Sequence, residues 1–163
     1  MHKLYIFIFL VLFSCNNKNN IGIVKNSDKY SLKSIKFINK CMNNDFEGMG
    51  EFLSESITFK INSTVYAGLK DVLKKLNLNS KVFSKVSIGN LETSTFFYKD
   101  GNLLTTQYLN YTYQSKLSYS NFYIRSVLTY KWFNNKIIEV NCIFDSTSIN
   151  NEIANYQNLT QKN

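Results

Sequence analysis

Apolar residues recur at helical spacing in three stretches of the first half of the chain. Over residues 30–43 these positions are Leu32, Ile35, Ile38, Cys41 and Met42, which predicts an amphipathic helix. Asp45 is expected to cap a second, short helix with Phe46, Met49, Phe52 and Leu53 on one side. A third helix is expected to begin at Gly68, with an apolar stripe of Leu69, Val72, Leu73 and Leu76. Before it, Ile57, Phe59 and Ile61 alternate with polar residues, which predicts a strand.

After residue 80 the pattern changes to that of strands, at about 82–98, 103–114, 121–133 and 136–145. Two of the breaks between them, Asp100-Gly101-Asn102 and Asn134-Asn135, are typical of hairpin turns. The last strand is apolar on one side, with Ile138, Val140, Cys142 and Phe144. The strand at 121–133 is apolar on both sides, as expected when one face packs on helices and the other lines a cavity or meets a partner. The sequence over residues 148–157 predicts a short C-terminal helix.

Three segments accompany this order of elements: Asn44-Asp45-Phe46-Glu47 with the following Leu53-Ser54-Glu55, the run from Tyr66 to Leu73, and the hairpin from Thr129 to Glu139. Together they resemble the nuclear transport factor 2-like superfamily, which includes SnoaL-like domains and ketosteroid isomerases. The resemblance covers residues 30–146. It implies an α+β fold in which helices pack on a strongly curved antiparallel sheet, forming a cone with a pocket at its wide end.

The first 15 residues, MHKLYIFIFLVLFSC, are interpreted as a bacterial lipoprotein export signal. His2 and Lys3 precede ten apolar residues, too few to span a bilayer, which needs about 20 in a helix. Leu12-Phe13-Ser14-Cys15 resembles the lipobox of bacterial lipoproteins, although Phe13 is larger than the residue usual at its position. The alternatives are a secretory signal cut elsewhere and a buried N-terminal strand.

On the lipoprotein interpretation, residues 1–14 are removed and Cys15 carries the lipid that binds the membrane. Residues 15–29 are polar and predict a flexible tether. A single domain at 30–146 and a short helix with a tail at 147–163 follow. No acidic residue follows Cys15 directly, so we expect a cell-envelope protein on the outer membrane, facing the periplasm.

The chain is basic, with a net charge of +8 that falls to +7 when Lys3 leaves with the signal. Arg125 is the one arginine, and sequence-specific recognition of nucleic acid usually depends on arginine. We therefore expect no nucleic-acid partner. The densest basic stretch consists of Lys70, Lys74, Lys75, Lys81 and Lys85. It is interpreted as a solvated helix face and loop, or as a surface for an anionic membrane or ligand.

Removal of His2 leaves no histidine in the mature chain. This excludes histidine-ligated metal sites and nucleophiles activated by histidine, and we expect no metal or cofactor. The resemblance implies an Asp inside the cone in members that move protons. The candidate catalytic carboxylates are Asp145 and Glu92, which would need a raised pKa. The candidate ligand-binding side chains are Tyr66, Tyr108, Tyr113, Tyr130 and Trp132, with ordinary core packing as the alternative.

Cys41 and Cys142 lie on the apolar sides of a predicted helix and a predicted strand. They fit two interpretations: small core residues, or a disulfide permitted by an oxidising compartment.

Two functions fit these features. The first is a non-catalytic envelope lipoprotein whose cone or sheet binds a small apolar ligand or a protein partner, including a second copy of the chain. The alternative is a cofactor-free isomerase, dehydratase or cyclase that uses a carboxylate and a tyrosine.

Replacement of the lipid acceptor tests the lipoprotein interpretation. Cys15→Ser removes the only thiol available at the lipobox, so we expect the variant to lose lipid labelling and membrane fractionation. Metabolic labelling with a radioactive fatty acid, followed by fractionation, measures both. Unchanged processing and membrane association would contradict the interpretation.

Overall fold

The computed structural model describes residues 21–161. Within that range there are three helices, α1 (Lys29–Met42), α2 (Leu69–Val82) and α3 (Thr147–Thr160), and a short 3-10 turn at Met49–Glu51. The strands are β1 (Ile21–Lys25), β2 (Leu53–Ile61), β3 (Thr64–Ala67), β4 (Phe83–Tyr98), β5 (Leu103–Ser115), β6 (Asn121–Phe133) and β7 (Lys136–Phe144). No helix among these residues is long and apolar enough to cross a membrane.

The strands form one curled sheet in the order β1-β4-β5-β6-β7-β2-β3. All neighbours are antiparallel except β2 and β7, which are parallel, so the sheet is mixed and not wholly antiparallel as predicted. Hairpin signals report only strands that are adjacent in sequence, whereas β2 and β7 are far apart along the chain. A bulge in β4 between Ile88 and Leu91, and another in β7 opposite Lys131 and Trp132, interrupt the register and increase the local bend.

Helix α1 packs across the concave face with Ile38 and Met42 buried as predicted, but the buried side of its first half differs from the prediction. Asp28 caps it, since its Oδ1 accepts hydrogen bonds from the backbone N–H of Tyr30 at 2.8 Å and of Ser31 at 3.3 Å. Leu32 is 52% exposed, whereas Ser31 and Ser34 are fully buried. Two serines replace apolar residues on the inner side because polar side chains of β4 and β5 lie beneath them.

These side chains form a buried hydrogen-bond network between α1 and the sheet. The Gln107 amide donates to Ser34 Oγ at 3.1 Å and accepts from the Tyr130 hydroxyl at 2.6 Å. The Trp132 indole donates to Thr105 Oγ1 at 2.9 Å, and a chain of hydroxyl contacts continues through Thr95 to Ser31. Every member is bonded, which offsets the loss of hydration on burial.

The short helix predicted after Asp45 is wrong. Asp45 caps no helix, because its carboxylate pairs with Lys40 at 2.6 Å. Phe52 ends the 3-10 turn and Leu53 begins β2, and both are buried. A left-handed Gly48 (φ 67°) turns the chain there.

The part of the predicted tether that the structure describes is partly ordered, because Ile21–Lys25 pairs with β4 as an edge strand. The free edge of the long β4 strand offers unpaired backbone groups to this short β-branched segment. Residues 15–20, and the whole signal at 1–14, lie outside the described residues.

Helix α3 is longer than predicted and is fixed by a buried carboxylate. Glu152 is 7% exposed and accepts hydrogen bonds from the hydroxyls of Ser115 and Ser118. Ser115 Oγ also accepts from the backbone N–H of Leu117 at 2.9 Å and of Ser118 at 3.0 Å. The bond from Ser115 is the main reason that the pKa of Glu152 lies below its ordinary value. Glu152 therefore joins α3 to the loop between β5 and β6.

Glu152→Gln should destabilise the protein by about 1 kcal/mol at pH 7, since bonds to a charged acceptor are the stronger ones. A lowered folded-state pKa gives stability that is present above the ordinary value of 4.5 and is lost as the pH falls through the folded-state value. The difference between wild type and variant should therefore shrink below about pH 4.5. Urea unfolding at several pH values measures it.

Glu92→Gln is the matched control, because Glu92 is exposed, and it should change stability little at pH 7. A loss for Glu152→Gln that is equally large at pH 7 and at pH 3 would contradict the assignment.

Candidate functional site

A cavity of about 80 Å³ lies between α1, α2 and the concave face of the sheet, with Ile149 of α3 at its border. One water needs about 10–15 Å³ of such volume, so the cavity has room for several waters or one small organic ring. Its lining is mainly apolar, with Phe37 and Ile38 from α1, Leu109 from β5 and Leu128 from β6. The core packing thus leaves an apolar chamber inside the cone.

A few polar side chains interrupt this apolar lining. Tyr111 and Tyr113 meet edge to face, with 5.1 Å between ring centroids. Ser126 Oγ donates to the backbone carbonyl of Leu109 at 3.3 Å. The Oδ1 atom of Asn79 is buried and has no hydrogen-bond partner. Asn79 is a lining residue, so a ligand N–H or O–H group that reaches its Oδ1 would satisfy this acceptor.

The titratable groups that line the cavity are all held neutral. Burial raises the pKa of the Cys41 and Cys142 thiols to about 12. Burial also raises the pKa of the Tyr113 phenol, and that of Tyr111 lies well above its ordinary value for the same reason. None of the described lining residues is Asp, Glu, Lys, Arg or His. The cavity therefore offers hydrogen bonds but no group that exchanges protons near neutral pH.

The predicted catalytic carboxylates lie elsewhere, and the expectation that they approach the cavity is wrong. Asp145 is exposed just after β7. Its Oδ1 accepts a hydrogen bond from the Thr147 backbone N–H at 3.0 Å, and this bond lowers the pKa of the Asp145 carboxyl group. Glu92 is exposed on β4 and accepts from the Asn90 side chain at 3.1 Å. Asp145 orders the turn into α3 and Glu92 belongs to the outer surface.

Of the five predicted aromatic ligands, only Tyr113 lines the cavity. Tyr130 and Trp132 are buried, but their donors are bonded to Gln107 and Thr105. Tyr108 is 58% exposed on the outer face, and Tyr66 lines a separate groove. Tyr108, Tyr130 and Trp132 are therefore not ligand-binding residues of the cavity, and Tyr66 belongs to a different concave region.

Sequence reasoning missed Tyr111, Ser126 and Asn79. The period of two along a strand places Tyr111 on the same face as Tyr113 and excludes Tyr108 from that face, so Tyr111 could have been found. No sequence signal marks Asn79, because its position depends on how α2 packs against the sheet.

The two cysteines line the same cavity as free thiols, Cys41 half-buried and Cys142 buried. Their positions match the interpretation as small core residues, and no disulfide joins them. Within residues 21–161 no group of three or more His, Cys, Asp or Glu side chains is placed to hold a metal ion.

No protein-family model matches the sequence, and no curated protein is significantly similar to it. Solved structures are similar in fold. A Shewanella putrefaciens protein provisionally named a SnoaL-like polyketide cyclase has a TM-score of 0.61 at 12% identity, over 78% of this chain and 87% of its own. The chain has the nuclear transport factor 2-like fold.

Two further structures with this fold are similar. A Shewanella denitrificans protein, also provisionally named a SnoaL-like polyketide cyclase, has a TM-score of 0.57 at 13% identity, over 76% of this chain and 96% of its own. A Bacillus subtilis protein provisionally named an isomerase has a TM-score of 0.55 at 8% identity, over 70% of this chain and 84% of its own. The structural likeness shows that the fold is shared. At identities this low it does not show a shared activity.

The raised thiol pKa values predict slow alkylation. At pH 8 a pKa of about 12 in place of 9.0 lowers the thiolate fraction about a thousandfold. Iodoacetamide should therefore modify Cys41 and Cys142 about a thousandfold more slowly in the folded protein than in urea. Peptide mapping by mass spectrometry resolves each site, and similar rates in both states would contradict the buried, neutral environment.

Proposed function

We propose that the domain binds a small, mainly apolar ligand inside its cone and performs no acid–base chemistry on it. The observation that carries this proposal is the neutral cavity, in which every titratable lining group among the described residues holds its proton. The unpaired Asn79 Oδ1 adds a preference for a ligand with one hydrogen-bond donor. A small phenol has this chemistry.

Catalysis by an isomerase, dehydratase or cyclase needs a group that accepts a proton near neutral pH. The two carboxylates that sequence reasoning offers for this role, Asp145 and Glu92, are exposed, and neither lines the cavity. The names of the similar structures favour such enzymes, but they come with identities of 13% or less. Binding is therefore the better-supported function.

The proposal places this domain on a lipoprotein of a bacterial cell envelope. Its support is the N-terminal sequence, with an apolar run that ends in Leu12-Phe13-Ser14-Cys15. The edge strand β1 begins at Ile21, six residues after the proposed lipid acceptor. Six residues reach at most about 20 Å, so a lipidated Cys15 would hold the domain close to the membrane surface.

Filling the cavity should abolish ligand binding. Cys142→Leu adds apolar atoms to the lining, and we expect the affinity for p-cresol to fall at least about tenfold. Cys142→Ala is the matched control, because it removes the thiol but leaves the space, so binding should persist. Titration calorimetry measures the affinities and circular dichroism checks the fold. Equal affinities for the two variants would contradict the cavity as the binding site.

The role of Asn79 is tested in the same titrations with p-cresol and toluene, which differ by one hydroxyl. Wild type should prefer p-cresol about tenfold, and Asn79→Leu should remove the preference while leaving toluene binding intact.

A further inference from the structure

A second concave region lies on the outer side of α2, between β3 and α3. It is an open groove of about 1170 Å³. Its apolar surface comes from Val65 and Tyr66 of β3, Leu78 of α2 and Ile153 of α3. It shares no residue with the cone cavity, which α2 borders with Leu76 and Asn79.

The groove is also positively charged. Its lining includes three lysines, Lys74, Lys75 and Lys81, and one acidic residue, Asp71. No hydrogen bond or ion pair joins these three ammonium groups to any residue in the described part of the chain. Each of the three lysines lies three or four positions from Leu78, so α2 presents cations and an apolar side chain on the same side.

Lys75 is the most enclosed of the three. It is half-buried, its Nζ lies 6.0 Å from the centroid of the Tyr66 ring, and burial lowers its pKa. Partial burial removes water from a charged group, and this costs free energy when no anion binds beside the group. An anionic group bound beside it would restore the lost interactions.

We propose that this groove binds a single-chain anionic amphiphile, in which a carboxylate or phosphate is joined to an alkyl chain. The headgroup lies against Lys75 with Lys74 or Lys81, and the chain lies along Tyr66, Leu78 and Ile153. Because the groove is concave, it fits a single molecule better than the flat surface of a bilayer. The site is independent of the ligand proposed for the cone, since the cavity of about 80 Å³ is neutral and too small for a long chain.

Titration calorimetry with dodecanoate below its micelle concentration tests the proposal on the full mature chain. Lys75→Gln should weaken binding about tenfold, and Lys81→Gln should act in the same direction. Lys70→Gln is the matched control, because Lys70 is exposed on the same helix but does not line the groove, and it should leave binding unchanged.

Dodecyl phosphate should behave like dodecanoate, whereas uncharged dodecyl maltoside should bind at least about tenfold more weakly.

The alkyl chain has its own test. Shortening dodecanoate to octanoate should weaken binding by up to about fourfold per methylene, and Val65→Ser should weaken binding of the longer chain.

Three outcomes would overturn the proposal. Equal losses for Lys75→Gln and Lys70→Gln would indicate general charge attraction. Loss of dodecanoate binding in Cys142→Leu, with Lys75→Gln unaffected, would place the ligand in the cone. Binding to phosphatidylglycerol vesicles, but not to monomeric dodecanoate, would indicate contact with a membrane surface.

Discussion

The architecture depends on the burial of one amide. Gln107 is fully buried on β5, where its Oε1 accepts from Tyr130 and its Nε2 donates to Ser34 and Thr93. An unpaired amide in the core would cost about 1–3 kcal/mol for each lost partner. Helix α1 must therefore lie with its serine side on β5. This orientation also directs Cys41, two turns after Ser34, toward the cavity.

The network divides the interior of the cone into two chemically different parts. Under the first half of α1, hydroxyls, an amide and an indole satisfy one another, so Tyr130 and Trp132 have no free donor for a ligand. Under the second half, apolar side chains, thiols and tyrosines leave a neutral space. Helix α2 then separates this space from the basic groove, with Leu76 on the inner side and Leu78 on the outer side. One helix thereby borders two sites suited to different ligands.

Local patterns predicted most elements correctly, because their signals lie within a few residues. The helix that begins after Gly68 and the hairpin turn at Asn134-Asn135 are at the expected positions, and the resemblance to the nuclear transport factor 2-like superfamily is confirmed for the fold. The failures are of a different kind. Leu32 continues the apolar spacing of α1 and yet is exposed, while Ser31 and Ser34 are buried because of partners more than 60 residues away. A bulge opposite Lys131 places Ile137 in the core where strict alternation predicted Ile138.

The sequence by itself indicated the class of fold, the positions of most helices and long strands, and an N-terminal segment that predicts export and lipid attachment. Periods of 3.6 and 2 and the chemistry of turns are local properties, so they can be recognised without knowledge of the rest of the chain. Tertiary structure alone decided which side chains meet. It placed Asp145 and Glu92 on the surface, paired β2 with β7 in parallel, and left the Asn79 Oδ1 atom without a partner in a residue that lines the same cavity as two thiols. Burial and long-range hydrogen bonding set these positions, since the free energy of each group depends on partners that are distant along the chain.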